Sequence, residues 1–300
     1  MGFIKLDGKF NENWYLIDAE MFGMKGNACI YIIENAGMRM MVDTTTPGLM
    51  MHRIIRKMKE LGLYPIHKLF LSHSHWDHVE GVEILIKKLK DTKIEILASQ
   101  NAINDFENPE RMNELYDVDI KPILGINPLR EGDIVNLNGL ELEILNLFGH
   151  SQDLIGFLDK KNENIFVGDA VINKYDRETL LPVFLSYEFD EAELIKTFKK
   201  LRDLKSQLKN GLNSISLSHF GVWTDEDCEQ ILEEMELLHF KTKNSIIKWY
   251  HENPSLDYIT SKYHESFISK SHLFTKNQLL GLKLAIQWLI DGLKAGCFIE

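Results

Sequence analysis

The chain has 300 residues, 44% hydrophobic and 26% charged, with a net charge of -11; that length buries a sizeable core without metal or disulfide staples, so a metal site here would serve function rather than folding. The acidic balance argues against a nucleic-acid partner, no apolar run reaches the ~18 residues of a membrane helix, and the opening MGFIKLDGKF lacks the apolar stretch of a signal peptide. Cys29, Cys228 and Cys297 are widely spaced and odd in number, which fits packed thiols in a reducing compartment and predicts a cytoplasmic protein.

In chain order, WYLIDA, ACIYIIEN and MRMMVDT read as short strands separated by the turn signals GMKGN and NAG. Pro47 opens a helix carrying Met51, Ile54, Ile55 and Met58 at helical spacing. HKLFLS is strand-like, and Val82, Leu85, Ile86 and Leu89 mark a second helix before the strand IEILAS. Residues 100–130, rich in Asn, Glu and Pro, read as a loop with one short helix at the rim of a site. DIVNLNGLELEILNLFGH alternates as two strands joined at Asn138-Gly139. NIFVGDA and SISLSHF are short apolar strands, with Leu194, Phe198, Leu201 and Leu208 forming a helix between them.

From Thr224 the pattern changes. Ile231, Leu232, Met235 and Leu238 form one helical stripe, Leu279, Leu282, Ile286, Leu289 and Leu293 another, and only LDYIT between them resembles a strand. Mixed strands and helices over residues 1–223 predict a layered α/β core, and residues 224–300 a helical C-terminal extension.

The chemistry concentrates in LSHSHWDHVEG, residues 71–81. Alternate side chains of an extended segment point the same way, so His73 and His75 can address one point. Asp77 and His78 follow after a turn and can address a second point nearby. Imidazole and carboxylate are ligands for Zn and Fe, so one such cluster can serve two metals. His150 after LNLFG, Asp169 after IFVG and His219 after ISLS each stand just past an apolar run, where strand ends converge on one rim of a sheet. A polar loop with incidental histidines is the plain alternative for residues 73–78, and a capped or turn residue for each of the other three. His52, His67, His239, His251, His264 and His272 read as surface or packing histidines; His264 and His272 would face the cleft if the tail covers it. Trp76 reads as a packing residue at the rim.

With these segments in this order, the chain resembles the metallo-β-lactamase-fold superfamily of metallohydrolases over roughly residues 10–223. The H-x-H-x-D-H signature stands as His73, His75, Asp77 and His78; GHS, GDA and SHFG stand at His150, Asp169 and His219. The resemblance implies a four-layer αβ/βα sandwich with two divalent metal ions at one edge, Zn foremost and Fe or Mn as alternatives. His73, His75 and His150 would hold the first ion; Asp77, His78 and His219 the second; Asp169 would bridge. Asp43 matches a position that supports such a cluster from behind, with a strand-end turn residue as the alternative. The reaction implied is attack by a metal-bridging hydroxide, with Asp77 passing a proton to the leaving group. Tyr175 and Tyr187, after the GDA motif, are candidate oxyanion donors.

The expected substrate is a small molecule with an ester or thioester bond; lactones and phosphodiesters are alternatives. The layout, with Ser151, Asp153 and residues 224–300, is similar to that of the thioesterases of bacterial quinolone signalling, which implies a helical cap over the metals. Two readings of other classes stand beside this one: a regulatory or binding protein whose metal site the tail occludes, and a diiron redox protein. Against the last, flavin-linked diiron relatives carry a glutamate where this chain has His75. The apolar faces of the tail helices can dock on the core or on a second subunit, so a homodimer is an open expectation.

Overall fold

The computed structural model describes residues 3–4, 6–174, 180–184, 187–208, 211–269 and 279–300. The first half runs β1 (Phe3–Ile4), β2 (Gly8–Lys9), β3 (Trp14–Asp18), β4 (Cys29–Asn35), β5 (Met38–Val42), α1 (Leu49–Glu60), β6 (Lys68–Leu71), α2 (Trp76–Val79), α3 (Val82–Lys88), β7 (Glu95–Ser99), α4 (Ile103–Glu107), α5 (Glu110–Tyr116) and β8 (Ile126–Leu129). The second half runs β9 (Ile134–Leu137), β10 (Leu140–Asn146), β11 (Ile155–Asp159), β12 (Asn164–Gly168), β13 (Asn173–Lys174), β14 (Leu180–Leu181), α6 (Glu191–Gln207), β15 (Ser214–Leu217), β16 (Val222–Thr224), α7 (Asp225–Glu252), α8 (Leu256–Phe267) and α9 (Leu279–Ala295).

Two seven-stranded sheets form, ordered β2-β3-β4-β5-β6-β7-β8 and β1-β16-β15-β12-β11-β10-β9. Their facing sides bury an aromatic layer of Trp14, Tyr31, Phe70, Phe157 and Phe166, with Phe70 and Phe157 edge to face at 4.9 Å between centroids. Each such ring contributes roughly 1.5–3 kcal/mol by burial. The polar tips also tie the sheets together. Trp14 Nε1 donates to Asp159 Oδ2 at 2.7 Å, and Tyr31 Oη donates to the Leu217 carbonyl at 2.7 Å. The second bond fixes the end of β15, two residues before His219.

The outer faces are covered by helices. Met51, Ile54, Ile55 and Met58 of α1, with Val82, Leu85, Phe106 and Met112, pack on the first sheet. Leu194, Phe198 and Leu201 of α6 join the apolar stripes of α7, α8 and α9 in one continuous cluster on the second sheet. The expected four-layer αβ/βα sandwich is therefore present, with the C-terminal helices sharing the core of its outer layer. Glu191, in the first turn of α6, meets Lys243 Nζ at 2.5 Å and His239 Nε2 at 2.8 Å, both from α7. No helix among the described residues is long and apolar enough to cross a membrane.

Local chemistry explains most boundaries. Asn138 and Gly139 both have positive φ, 49° and 100°, the pair a two-residue hairpin turn requires. α1 begins after Pro47 because Gly48 sits at φ 74°, outside helical space. Where one short helix was expected in residues 100–130 there are two, α4 and α5, separated by Asn108 and Pro109. LDYIT opens a helix, α8, not a strand. Ile86 is exposed although it sits on the expected stripe, and Cys297 is exposed rather than packed. β11, IGFLD, gave no strand signal; every residue in it is buried, because it is a central strand covered on both faces.

Candidate metal centre

Four strand ends build the site. β5, β6 and β7 run parallel, so the turns after β5 and β6 leave the same edge, carrying Asp43 and then His73 and His75. The next residues close the single helical turn α2, which carries Asp77 and His78 behind an extended His75. In the second sheet β12 and β15 are parallel with Gly168 opposite Leu217, so Asp169 and His219 emerge side by side. His150 lies in the loop from β10 to β11. Gly168 makes its turn at φ 56°, and an added Cβ would lie 2.9 Å from Leu154 Cδ1.

The seven expected residues do come together. His73, His75 and His150 offer ligand atoms that all lie within 4.8 Å of one another; so do His73, His78 and Asp169, and so do Asp77, His78 and His219. Outer partners orient the rings of His73, His78, His150 and His219. His73 Nδ1 faces Ser72 Oγ at 2.9 Å, His78 Nδ1 faces Asp43 Oδ2 at 3.0 Å, and His150 Nδ1 faces the Val183 carbonyl at 2.5 Å. His219 Nδ1 donates to the Asn27 carbonyl. An acceptor on Nδ1 holds the proton there and turns the Nε2 lone pair inward.

Inside that ring, partners are missing. His73 Nε2, His78 Nε2 and Asp169 Oδ1 are buried without a hydrogen-bond partner. His150 Nε2 and His75 Nδ1 lie 2.9 Å apart, two inward nitrogens with Nδ1 of His150 already engaged elsewhere. Polar atoms buried in this way each cost about 1–3 kcal/mol. Neutral imidazoles and a carboxylate converging on one point are what a divalent cation requires, so the donor set fits a metal site.

The electrostatics divide the cluster in two. Burial, reinforced by the neighbouring His150, drives His75 down to about 3, and burial with His78 drives His73 well below the usual histidine range. Those imidazoles are neutral, the form that binds metal. For His219, burial alone would lower the value, yet Asp169 and Asp77 raise it to about 10; the same two carboxylates raise His78. Burial opposes ionisation of Asp77, but His78 and His219 overcome it and hold the carboxyl at about 2. Asp77 and Asp169 are thus anionic and draw positive charge to their side of the pocket.

The tyrosines are less central. Tyr175 lies outside the described residues. Tyr187 borders a small cavity shared with Ser74, Asp105 and Arg111, and the Arg111 guanidinium lies 4.0 Å from its ring centroid. At the rim, Trp76 meets Tyr116 and Trp288 at 6.3 Å each, and Tyr116 meets Trp288 at 5.8 Å. Trp76 is therefore a packing residue of the rim, as its position implied. Its partners come from α5 and α9 and carried no local signal in the sequence. The backbone acceptors at Asn27 and Val183 carried none either.

A family model of the Metallo-beta-lactamase superfamily matches residues 25–208, more than half of the chain. This chain belongs to the metallo-beta-lactamase superfamily. A crystal structure of a metallo-beta-lactamase family protein from Thermus thermophilus superposes with a TM-score of 0.62 at 19% identity, covering 94% of this chain and 93% of that one; at that identity it speaks to the fold. Hydroxyacylglutathione hydrolase GloC of Haemophilus influenzae is 34% identical over 130 residues, 42% of this chain and 58% of that protein. An atrochrysone carboxyl ACP thioesterase of Paecilomyces divaricatus is 23% identical over 142 residues, 47% of this chain and 38% of that protein. The chain thus spans little more than half the length of the first relative and less of the second.

Proposed function

We propose that this superfamily member is a dinuclear metal-dependent hydrolase of a small-molecule ester or thioester. The observation that carries this is the convergence of seven ligand-type side chains on inward-facing atoms that lack partners. The ester or thioester assignment is supported by two relatives, named a hydroxyacylglutathione hydrolase and an ACP thioesterase. His73, His75 and His150 would hold one divalent ion, Asp77, His78 and His219 a second, with Asp169 shared; Zn, Fe and Mn all suit such donors. When bound, two such ions supply Lewis acidity that ionises a water near neutral pH and polarises the scissile carbonyl.

The chain's own residues do the rest. The Asp77 side chain keeps 17% of its surface exposed, against 3% for His78 and 7% for Asp169. It therefore lines the open side, where a carboxylate can take a proton and pass it to the departing group. The Trp76–Tyr116–Trp288 contact supports a cap: residues 224–300 would lie over the core formed by residues 1–223 and narrow the approach to Asp77. Tyr187 is retained as a candidate oxyanion donor.

The test is metal analysis joined to a substrate panel. Protein reconstituted with Zn, Mn or Fe is assayed on p-nitrophenyl esters, acyl-CoA thioesters, lactones and bis-p-nitrophenyl phosphate. Two bound ions and thioester or ester turnover abolished by His78→Ala are expected. An absence of bound metal after reconstitution, or unchanged turnover in that variant, overturns the reading.

A further inference from the structure

Asp153 is buried, at 3% exposure, and belongs to none of the ligand groups. Its Oδ2 accepts the Ser74 N–H at 2.8 Å, and its Oδ1 accepts the Ser151 hydroxyl at 2.6 Å. Ser74 stands between His73 and His75, and Ser151 follows His150. One carboxylate therefore joins two loops 79 residues apart in sequence, each bearing part of the same three-histidine group. Neither loop is held there by a strand ladder. Other ties hold these loops as well, among them Ile155 N–H to the Ser72 carbonyl and Asp190 N–H to the Gly149 carbonyl, both at 2.9 Å, and the Asn101 amide to the Gln152 carbonyl at 3.0 Å.

The carboxylate is costly where it is. Among the described residues it forms no ion pair within 4.0 Å, and the charged groups that act on it, Asp105 and Glu188, are like-charged. A buried, unpaired carboxylate costs several kcal/mol beyond what two hydrogen bonds return. The neighbouring cluster, by contrast, is arranged to accept positive charge. A carboxylate that orders three neutral imidazoles also offsets the charge of an ion they hold.

Building on the metal reading above, we propose that Asp153 is a positioning residue for the His73–His75–His150 group, clamping its two loops so that the three imidazoles stay at ligand distance. Asp43 has the corresponding place behind His78. The clamp needs an acceptor facing Ser74 N–H and any partner facing Ser151 Oγ. An asparagine can meet both demands, its oxygen accepting from Ser74 and its amide donating to Ser151; an alanine meets neither.

The experiment loads wild type, Asp153→Asn, Asp153→Ala and Ser151→Ala with Zn and follows stepwise removal by a chelator. Circular dichroism and Tm of the metal-free proteins report folding. For Asp153→Ala, one of the two ions should bind about 10–100-fold more weakly, with the other unchanged. Asp153→Asn should restore it to within a few-fold, and Ser151→Ala should fall between. A role limited to general stability would instead lower the metal-free Tm and weaken both steps alike, which overturns the inference. So does an Asp153→Ala protein that folds and releases both ions as wild type does. Should Asp153→Ala not fold, Ser151→Ala decides on the same criteria. If wild type binds no Zn, the underlying metal reading fails; if it binds two and the folded variants match it, the clamp alone fails.

Discussion

Asp43 Oδ2 lies 3.0 Å from His78 Nδ1, and the same oxygen accepts the Ser72 hydroxyl at 2.8 Å and the Ser218 hydroxyl at 3.3 Å. Its other oxygen accepts the Ser72 N–H at 2.7 Å. One carboxylate thereby orients His78 directly and His73 through Ser72. Asparagine tolerates the left-handed backbone at this position, φ 60°, but its amide would present hydrogens to His78. The imidazole would then shift its proton to Nε2 and lose the inward lone pair. Asp43→Asn should weaken metal binding about 10–100-fold with a small change in Tm. Asp43→Ala should also destabilise the fold, through backbone strain of roughly 1–2 kcal/mol and an unpaired Ser72 N–H. Chelator competition and denaturant unfolding on both variants separate the two effects.

Gly149 is a packing point for His150. It sits at φ 131°, and a Cβ there would lie 2.4 Å from Leu194 Cα and 2.5 Å from Leu194 N. Those are backbone atoms of α6 that cannot step aside as a side chain would. Gly149→Ala should cost about 3 kcal/mol or more and displace the His150 loop. Urea unfolding reads the first effect and Zn stoichiometry the second; a variant with wild-type Cm would show that the helix yields.

Glu188 titrates unusually. Burial, with the charge of Asp153 nearby, lifts its carboxyl to about 7, although a hydrogen bond from Tyr187 works the other way. In the unfolded chain the group returns to its ordinary value near 4.5, so the folded state binds the extra proton between these values. Its stabilising contribution is complete below pH ~4.5 and is lost as pH rises through ~7, on the order of 3 kcal/mol. Glu188→Gln should flatten that segment of the stability–pH curve and exceed wild type in stability at pH 8. Equal slopes for the two proteins from pH 5 to 8 would refute the assignment.

Trp288 links the C-terminal helices to the rim of the site. Removing its ring leaves Trp76 and Tyr116 without that edge contact. Trp288→Ala should widen the approach to Asp77 and raise kcat/KM for bulky acyl thioesters several-fold relative to acetyl thioesters. Half-buried aromatic truncation should cost roughly 1–2 kcal/mol. An unchanged ratio between bulky and small substrates would show that α9 takes no part in selection.

Much of this protein was legible in one dimension. The ligand-type residues stand at strand ends, and both strands and ligands have local signatures: apolar runs of four to seven residues, then His or Asp. The hairpin at Asn138-Gly139 and the helical stripes are equally local. β11 escaped because a strand buried on both faces, interrupted by Gly156 and ended by Asp159, has no alternation to detect. The supporting place of Asp43 was legible through the family resemblance; the bonds from Asp153 to Ser74 and Ser151, the carbonyls of Asn27 and Val183 that hold His219 and His150, and the meeting of Trp76 with Tyr116 and Trp288 were decided by tertiary structure alone. Each joins groups that are remote in sequence or uses the backbone, which every residue possesses. Composition and periodicity report which faces bury and which residue types can bind; they carry no record of distances between segments that only packing brings together.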